Sequence, residues 1–232
     1  MGDSAAAAPD TAELRQQVID TCFYMRDRLG YFVSTWGNIA VRISEGLLVT
    51  PSRVPLAEMG VQDLVVVSWE GATLKGRRLP TSEMHLHRLL LQRRPDLGAL
   101  IHAHSPLASA VSCMGRSIPV MLEDMAQIIG GEVRCASYVP AGRHRELGAN
   151  AARTIGGDAA AVLLGNHGPV VGGRNLAEAL VATQVLEKAA GCFLSCGSRR
   201  VRSIPRASVE SERERYLYKY GTEKDASSSP PT

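Results

Sequence analysis

At 232 residues the chain is long enough for one sizeable α/β domain and short for two. Hydrophobic residues make up 45% and charged residues 21%, and 26 basic against 23 acidic side chains leave a formal charge of only +3. That balance argues against a nucleic-acid or membrane-surface partner. The five cysteines are scattered with no CxxC, which suggests neither a disulfide framework nor a zinc knuckle and fits a reducing compartment. The start lacks the charged region and long apolar core of a signal peptide, and no apolar run reaches membrane-spanning length. A cytoplasmic protein is expected.

Residues 1–9, Ala-rich, are expected to be disordered. Asp10 or Thr11 can cap a helix whose apolar positions, Leu14, Val18, Cys22 and Met25, recur every three or four residues until Gly30. Thr35-Trp36-Gly37-Asn38 reads as a tight turn feeding a strand, Ile39 to Ile43, with Gly46 to Thr50 as its hairpin partner. Leu64 to Trp69 reads as another strand. Thr81-Ser82 can cap a helix with Glu83 in its first turn, ended by Pro95. Ala99-Leu100-Ile101-His102-Ala103-His104 reads as a buried strand, followed by a short helix near Ser109-Ala110-Val111 and strands at Ile118 to Val120 and Cys135 to Pro140. A helix is expected over Arg145 to Ile155 and a strand over Ala159 to Leu164. The turn Gly165-Asn166-His167-Gly168-Pro169 then leads to a long helix capped by Asn175 and running to about Ser195. A charged, Tyr-bearing segment closes at Gly221, and residues 222–232 read as a disordered tail. Helices interleaved with short strands predict one α/β domain over residues 10–221.

His102-Ala103-His104 is the chemically loaded stretch. In a strand, residues two apart share a face, so the two imidazoles project together as half of a metal site. His167 sits in a Gly-rich turn. Joined to the other two, it would make three neutral nitrogen ligands with a coordination position left open, the catalytic arrangement for zinc. Spacing alone does not establish that meeting. Glu83 has two readings: a carboxylate in a capping turn, favoured by the helix dipole, or a general acid/base beside the metal. His85 and His87, two apart on a helix, point to different faces and read as packing or surface residues, and His144 as solvated. The turns at Thr35 to Asn38, Ser52-Arg53 and Thr81-Ser82 offer hydroxyls and free N–H groups that can cradle a phosphate. No nucleotide-binding glycine motif is present.

Five of these motifs in this order resemble the class II aldolase/adducin family: Ser34-Thr35-Trp36-Gly37-Asn38, Leu48-Val49-Thr50-Pro51-Ser52, Pro80-Thr81-Ser82-Glu83, His102-Ala103-His104-Ser105 and Asn166-His167-Gly168. The resemblance spans about residues 11–221. It implies a three-layer α/β/α domain with a central, mostly antiparallel sheet flanked by helices. It implies one divalent metal held by His102, His104 and His167, zinc first with manganese or cobalt as alternatives, and ligated by Glu83 before substrate arrives. Gly37, Asn38, Ser52, Thr81 and Ser82 match positions that hold a substrate phosphate. Arg53 stands where many members have glycine and either adds a charged contact or blocks one.

The activity implied is reversible cleavage of a short ketose 1-phosphate, of deoxypentulose or fuculose type, to dihydroxyacetone phosphate and an aldehyde through a metal-stabilised enediolate. Glu83 would move the proton on the dihydroxyacetone phosphate carbon, and Tyr220 would assist the aldehyde oxygen. Glu123-Asp124 replaces an aromatic near the aldehyde side, as either a binding or a structural pair. A homotetramer with sites at subunit contacts is expected. The rivals are a 4-epimerase, a methylthioribulose-phosphate dehydratase or a sugar-acid phosphate decarboxylase on the same site, and, from another class, a non-catalytic adducin-like scaffold.

Overall fold

The structure, a computed structural model, describes residues 5–197, 199 and 201–219. Its centre is an eight-stranded sheet made of β1 (Asn38–Ile43), β2 (Gly46–Val49), β3 (Val65–Val67), β4 (Thr73–Lys75), β5 (Ala99–His102), β6 (Arg134–Ala136), β7 (Ala161–Leu164) and β8 (Gly168–Gly173). The spatial order is β4-β3-β2-β1-β5-β8-β7-β6, and every pairing is antiparallel except β6 with β7. The mostly antiparallel three-layer domain expected from the resemblance is the one observed.

Seven helices cover both faces: α1 (Ala12–Asp27), α2 (Met84–Arg93), α3 (Pro106–Cys113), α4 (Glu123–Ile128), α5 (His144–Thr154), α6 (Leu176–Ser195) and α7 (Arg206–Tyr218). Strand alternation sorts the core. Ala40, Leu47, Val49, Leu100 and Val170 face α2 and α5, whereas Ile39, Val41, Leu48 and Ile101 face α1 and the start of α6. Toward the β6 edge, Leu163 and Val171 pack with α3, α4 and α6. Both faces are thus buried, which is why β5 and β7 read as unbroken apolar runs.

The starts of α1 and α6 follow the sequence, whereas α2 begins at Met84 with Glu83 itself, and not Thr81 or Ser82, at its N-cap. Thr11 caps α1 by accepting from Leu14 N at 3.2 Å, while Asp10 pairs instead with Arg15. Asn175 caps α6 through Glu178 N at 2.9 Å. The misses are short elements. β4 is an exposed three-residue edge strand and α4 only six residues long, too little for a periodic signal. The strand expected at Ile118 to Val120 reduces to a single bridge between Ile118 and Val133. Part of the N-terminal stretch expected to be disordered is docked: Ala5 N donates to Pro95 O at 2.8 Å, and Ala8 bridges to Ile43. The tail expected from residue 222 lies outside the described residues. All five cysteines are free. No helix among the described residues is long and apolar enough to cross a membrane.

Candidate active site

Sheet register assembles the site. β5 lies between β1 and β8, with Asn38 opposite His102 and Val170 opposite His102 on the other side. β7 returns as β8 through Gly165-Asn166-His167, so this hairpin turn delivers His167 beside the end of β5. Gly168 makes that approach possible, because a Cβ there would meet Ala103 O at 2.4 Å. β5 itself stops at His102 rather than continuing through His104. His104 is held one step beyond, its N–H donating to Tyr31 O at 3.0 Å. The three imidazoles still converge, with ring centroids 4.8–5.1 Å apart and candidate ligand atoms all within 4.8 Å of one another.

Glu83 is the N-cap residue of α2, yet its side chain makes no capping bond. The capping reading is therefore not what the carboxylate does. Its Oε2 lies 3.3 Å from His102 Nε2 and its Oε1 3.6 Å from His167 Nε2. Asn38 Nδ2 donates to Oε2 at 2.8 Å, and Thr81 Oγ1 accepts from Glu83 N at 3.3 Å.

His102 Nδ1 sits 3.0 Å from the carbonyl of Pro169 and donates to it, which turns Nε2 toward the site. That Nε2 faces His167 Nε2 at 3.3 Å and the Glu83 carboxylate. Such a cluster of lone pairs suits a cation, and a backbone carbonyl orienting a ligand imidazole is a usual support for a bound metal. Burial, reinforced by His102 and His167, lowers the His104 imidazole to about 4, and burial with His102 also pulls His167 down. Burial raises the Glu83 carboxyl, but His102, Asn38 and His167 together outweigh it and hold the group near 2. Lowered His104 and His167 imidazoles beside an ionised carboxylate fit a divalent ion of the zinc, manganese or cobalt kind.

Two cavities flank this cluster and share Glu83 and His167 as a common wall. The first, about 400 Å³, is lined by Gly37, Asn38, Ser52, Arg53, Thr81 and Ser82, all six expected phosphate-side residues. Its turns are tight. Gly37 has φ +101°, and a Cβ there would meet the Phe32 ring at 2.2 Å. Arg53 has φ +61° and makes no side-chain hydrogen bond or ion pair among the described residues. The second cavity, about 300 Å³, is walled by Tyr138, Val139, Pro140, Ala141 and Leu147, with Asn166 and half-buried His144 at its edge. Arg143 also borders it but lies 3.4 Å from Glu146.

Residues 16–194 match the family described as Class II Aldolase and Adducin N-terminal domain. The chain belongs to the class II aldolase/adducin family. It is 33% identical over 217 residues to the 5-methylthioribulose-1-phosphate/5-deoxyribulose-1-phosphate aldolase of Rhodospirillum rubrum, covering 94% of this chain and 95% of that one. It is 35% identical over 183 residues to the L-fuculose phosphate aldolase of Escherichia coli, covering 79% and 83%. An L-fuculose 1-phosphate aldolase structure superposes with a TM-score of 0.83 at 29% identity, covering 90% of this chain and 99% of that one. The chain is thus an enzyme of the class II aldolase type, a carbon–carbon lyase, carrying a candidate three-histidine metal site.

Within this aldolase, some expectations land elsewhere. Tyr220 lies outside the described residues. Neither Tyr216 nor Tyr218 lines either cavity: Tyr216 packs against the core under α6, and Tyr218 borders a separate hollow with Arg213. Asp124 pairs with Lys188 on α6 and Glu123 is exposed, so within this chain neither reaches the site. His85 is half-buried on the α5 side of α2, as a packing residue would be. His87 is different. It is fully buried and bonded to Asn38, a polar role that its sequence position signals only through its spacing of four from Glu83.

Proposed function

We propose that the enzyme reversibly cleaves a ketose 1-phosphate with a short, deoxygenated tail into dihydroxyacetone phosphate and an aldehyde. The observation that carries this reading is the pair of unlike cavities meeting at Glu83 and His167. A ketose 1-phosphate has one anionic end and one carbon-chain end, and its scissile bond lies between them. Ser52, Thr81 and Ser82 supply hydroxyls or N–H groups for the phosphate, and the Arg53 guanidinium, without a side-chain partner among the described residues, supplies charge. Tyr138, Val139, Ala141 and Leu147 offer apolar contact to the departing aldehyde, which favours a 5-deoxy or 5-thioether pentulose over a hydroxylated fuculose-type chain. The name of the Rhodospirillum rubrum relative, matched over nearly the whole chain, supports the same substrate type.

His102, His104 and His167 would hold the divalent cation, zinc first, which when bound draws charge from the substrate's carbonyl-end oxygens as a Lewis acid. In cleavage the aldehyde-forming hydroxyl loses its proton, the bond electrons pass to the dihydroxyacetone phosphate fragment, and Glu83, having taken up a proton from solvent, protonates that fragment's carbon; in the synthetic direction the Glu83 carboxylate removes it. The proton leaving the aldehyde-forming hydroxyl passes to solvent with Tyr220 assisting at that oxygen, a role implied by the family resemblance. We also propose a homotetramer with the sites at subunit contacts, in the cytoplasm. Exposed Trp36 and Tyr138 at the cavity rims, with exposed Leu79 beside Ser52, support such contacts.

The test is exchange of the dihydroxyacetone phosphate C–H with deuterium from solvent, followed by NMR, which needs no aldehyde. Exchange that a chelator abolishes and zinc, manganese or cobalt restores is the expected result. Bound metal with no exchange would move the substrate away from dihydroxyacetone phosphate, toward the epimerase, dehydratase or decarboxylase chemistries.

A further inference from the structure

From Glu83 a short polar chain runs through Asn38 to His87, which lines neither cavity. Asn38, the first residue of β1, sends Nδ2 to Glu83 Oε2 at 2.8 Å, and its Oδ1 lies 2.5 Å from His87 Nε2. Relative exposures are 9% for Glu83, 8% for Asn38 and 0% for His87. His87 is one helical turn below Glu83 on α2, so a single helix presents both ends of the chain to one strand residue.

The hydrogen-bonding polarity of this chain has one solution. A carboxylate only accepts, so the Asn38 amide must turn its NH₂ toward Glu83. Its carbonyl then faces His87, which must donate from Nε2. The opposite amide orientation would set two acceptors against each other at Glu83. The opposite tautomer would do the same at His87. In the allowed arrangement His87 Nδ1 carries no proton, and it has no hydrogen-bond partner among the described residues. A purely packing residue here would do better as leucine, which fills similar space without an orphaned nitrogen.

We propose that His87 is a positioning residue which, through Asn38, fixes the orientation of the Glu83 carboxylate beside the metal-site histidines. Asn38 thereby acts on the acid rather than on the phosphate alone. The physical reason is pre-organisation. The His87 N–H polarises the Asn38 amide, the amide grips one carboxylate oxygen, and the other oxygen is left to face the reacting carbon. This inference rests on Glu83 being the proton-moving group proposed above.

The experiment measures dihydroxyacetone phosphate C–H exchange for the wild-type enzyme, His87→Leu and His87→Gln, with metal content and thermal midpoint recorded for each. Wild-type exchange is expected, and its absence would sink the functional reading and this proposal together. With wild-type exchange present, His87→Leu is expected to lower kcat by about tenfold to a hundredfold while KM shifts by no more than about twofold and metal is retained. Gln, whose amide N–H can also donate to Asn38, is expected to restore kcat to within about threefold. Unchanged kcat in His87→Leu, or Gln rescuing no better than Leu, would overturn the proposal and leave the function intact. Nitrogen NMR of the wild-type holoenzyme provides a check that needs no variant: a proton on His87 Nε2 is expected, and a proton on Nδ1 would overturn the relay.

Discussion

The two cavities that meet at Glu83 and His167 are made from opposite materials. The phosphate-side cavity is built from turns whose backbone is bent into unusual conformations. Gly37 and Arg53 both have positive φ, and Ser34, just outside, has φ +57°. The tail-side cavity is built from side chains, with Tyr138, Val139, Pro140 and Ala141 on one loop and Leu147 on α5. Arg53, Ser34 and Asn166 are the only non-glycine residues with positive φ among the described residues, and all three belong to turns around the site. Backbone strain of this kind persists where surrounding contacts over-determine it, characteristically at functional sites. The difference teaches how one sheet end can grip an unsymmetrical molecule. Turn backbones and hydroxyls suit an anion, and apolar side chains suit a group that carries none.

The severest way to break the comparison is to remove what both cavities share. His102→Ala deletes one of three imidazole ligands, and metal content by elemental analysis is expected to fall from about one per chain toward none, with activity down by more than about 10³-fold. Normal metal stoichiometry in that variant would sink the site as drawn. Glu83→Gln keeps the shape and removes the base. Metal is expected to stay, with exchange and cleavage reduced about 10²- to 10⁴-fold, and full activity would take Glu83 out of the reaction.

Smaller changes separate the cavities. Arg53→Gly removes a guanidinium from the phosphate side and is expected to raise KM for dihydroxyacetone phosphate about tenfold, equivalent to roughly 1.4 kcal/mol. Its preference among aldehydes should not move. If Arg53 blocks phosphate instead, KM would fall. Ala141→Trp fills part of the tail side. It is expected to lower kcat/KM for propanal about fivefold to tenfold relative to glycolaldehyde, with little effect on KM for dihydroxyacetone phosphate. Equal losses with both aldehydes would deny that this cavity receives the tail. In the wild-type enzyme, propanal is expected to be preferred over glyceraldehyde, which has the same number of carbons but two more hydroxyls. The reverse order would point to a hydroxylated substrate.

Much of this site was legible in the chain because its motifs are local. His102 and His104 are two residues apart, Thr81-Ser82-Glu83 are contiguous, and Asn166-His167-Gly168 is one turn. Other features were not, for physical reasons that differ. Glu83 could have been an ordinary helix cap. What sends its carboxylate to the histidines is Asn38, 45 residues away in sequence, brought there by the β1–β5 register. His87 looked like a packing residue because its partner is on a different element. Glu123 and Asp124 looked like candidates for the aldehyde side, whereas Asp124 pairs with Lys188, which only the packing of α4 on α6 brings near.

By itself, then, the sequence determined the longer elements, the five ordered motifs, the candidate donor residues and the family, because periodicity, capping chemistry and residue identity are properties of short stretches. Only the tertiary structure decided that three imidazoles meet within 4.8 Å, that polar and apolar hollows lie on either side of one carboxylate, and that a buried histidine stands behind it. Those facts depend on strand order and register. They bring together side chains up to 129 residues apart, from Asn38 to His167, and no local pattern encodes a distance across a sheet.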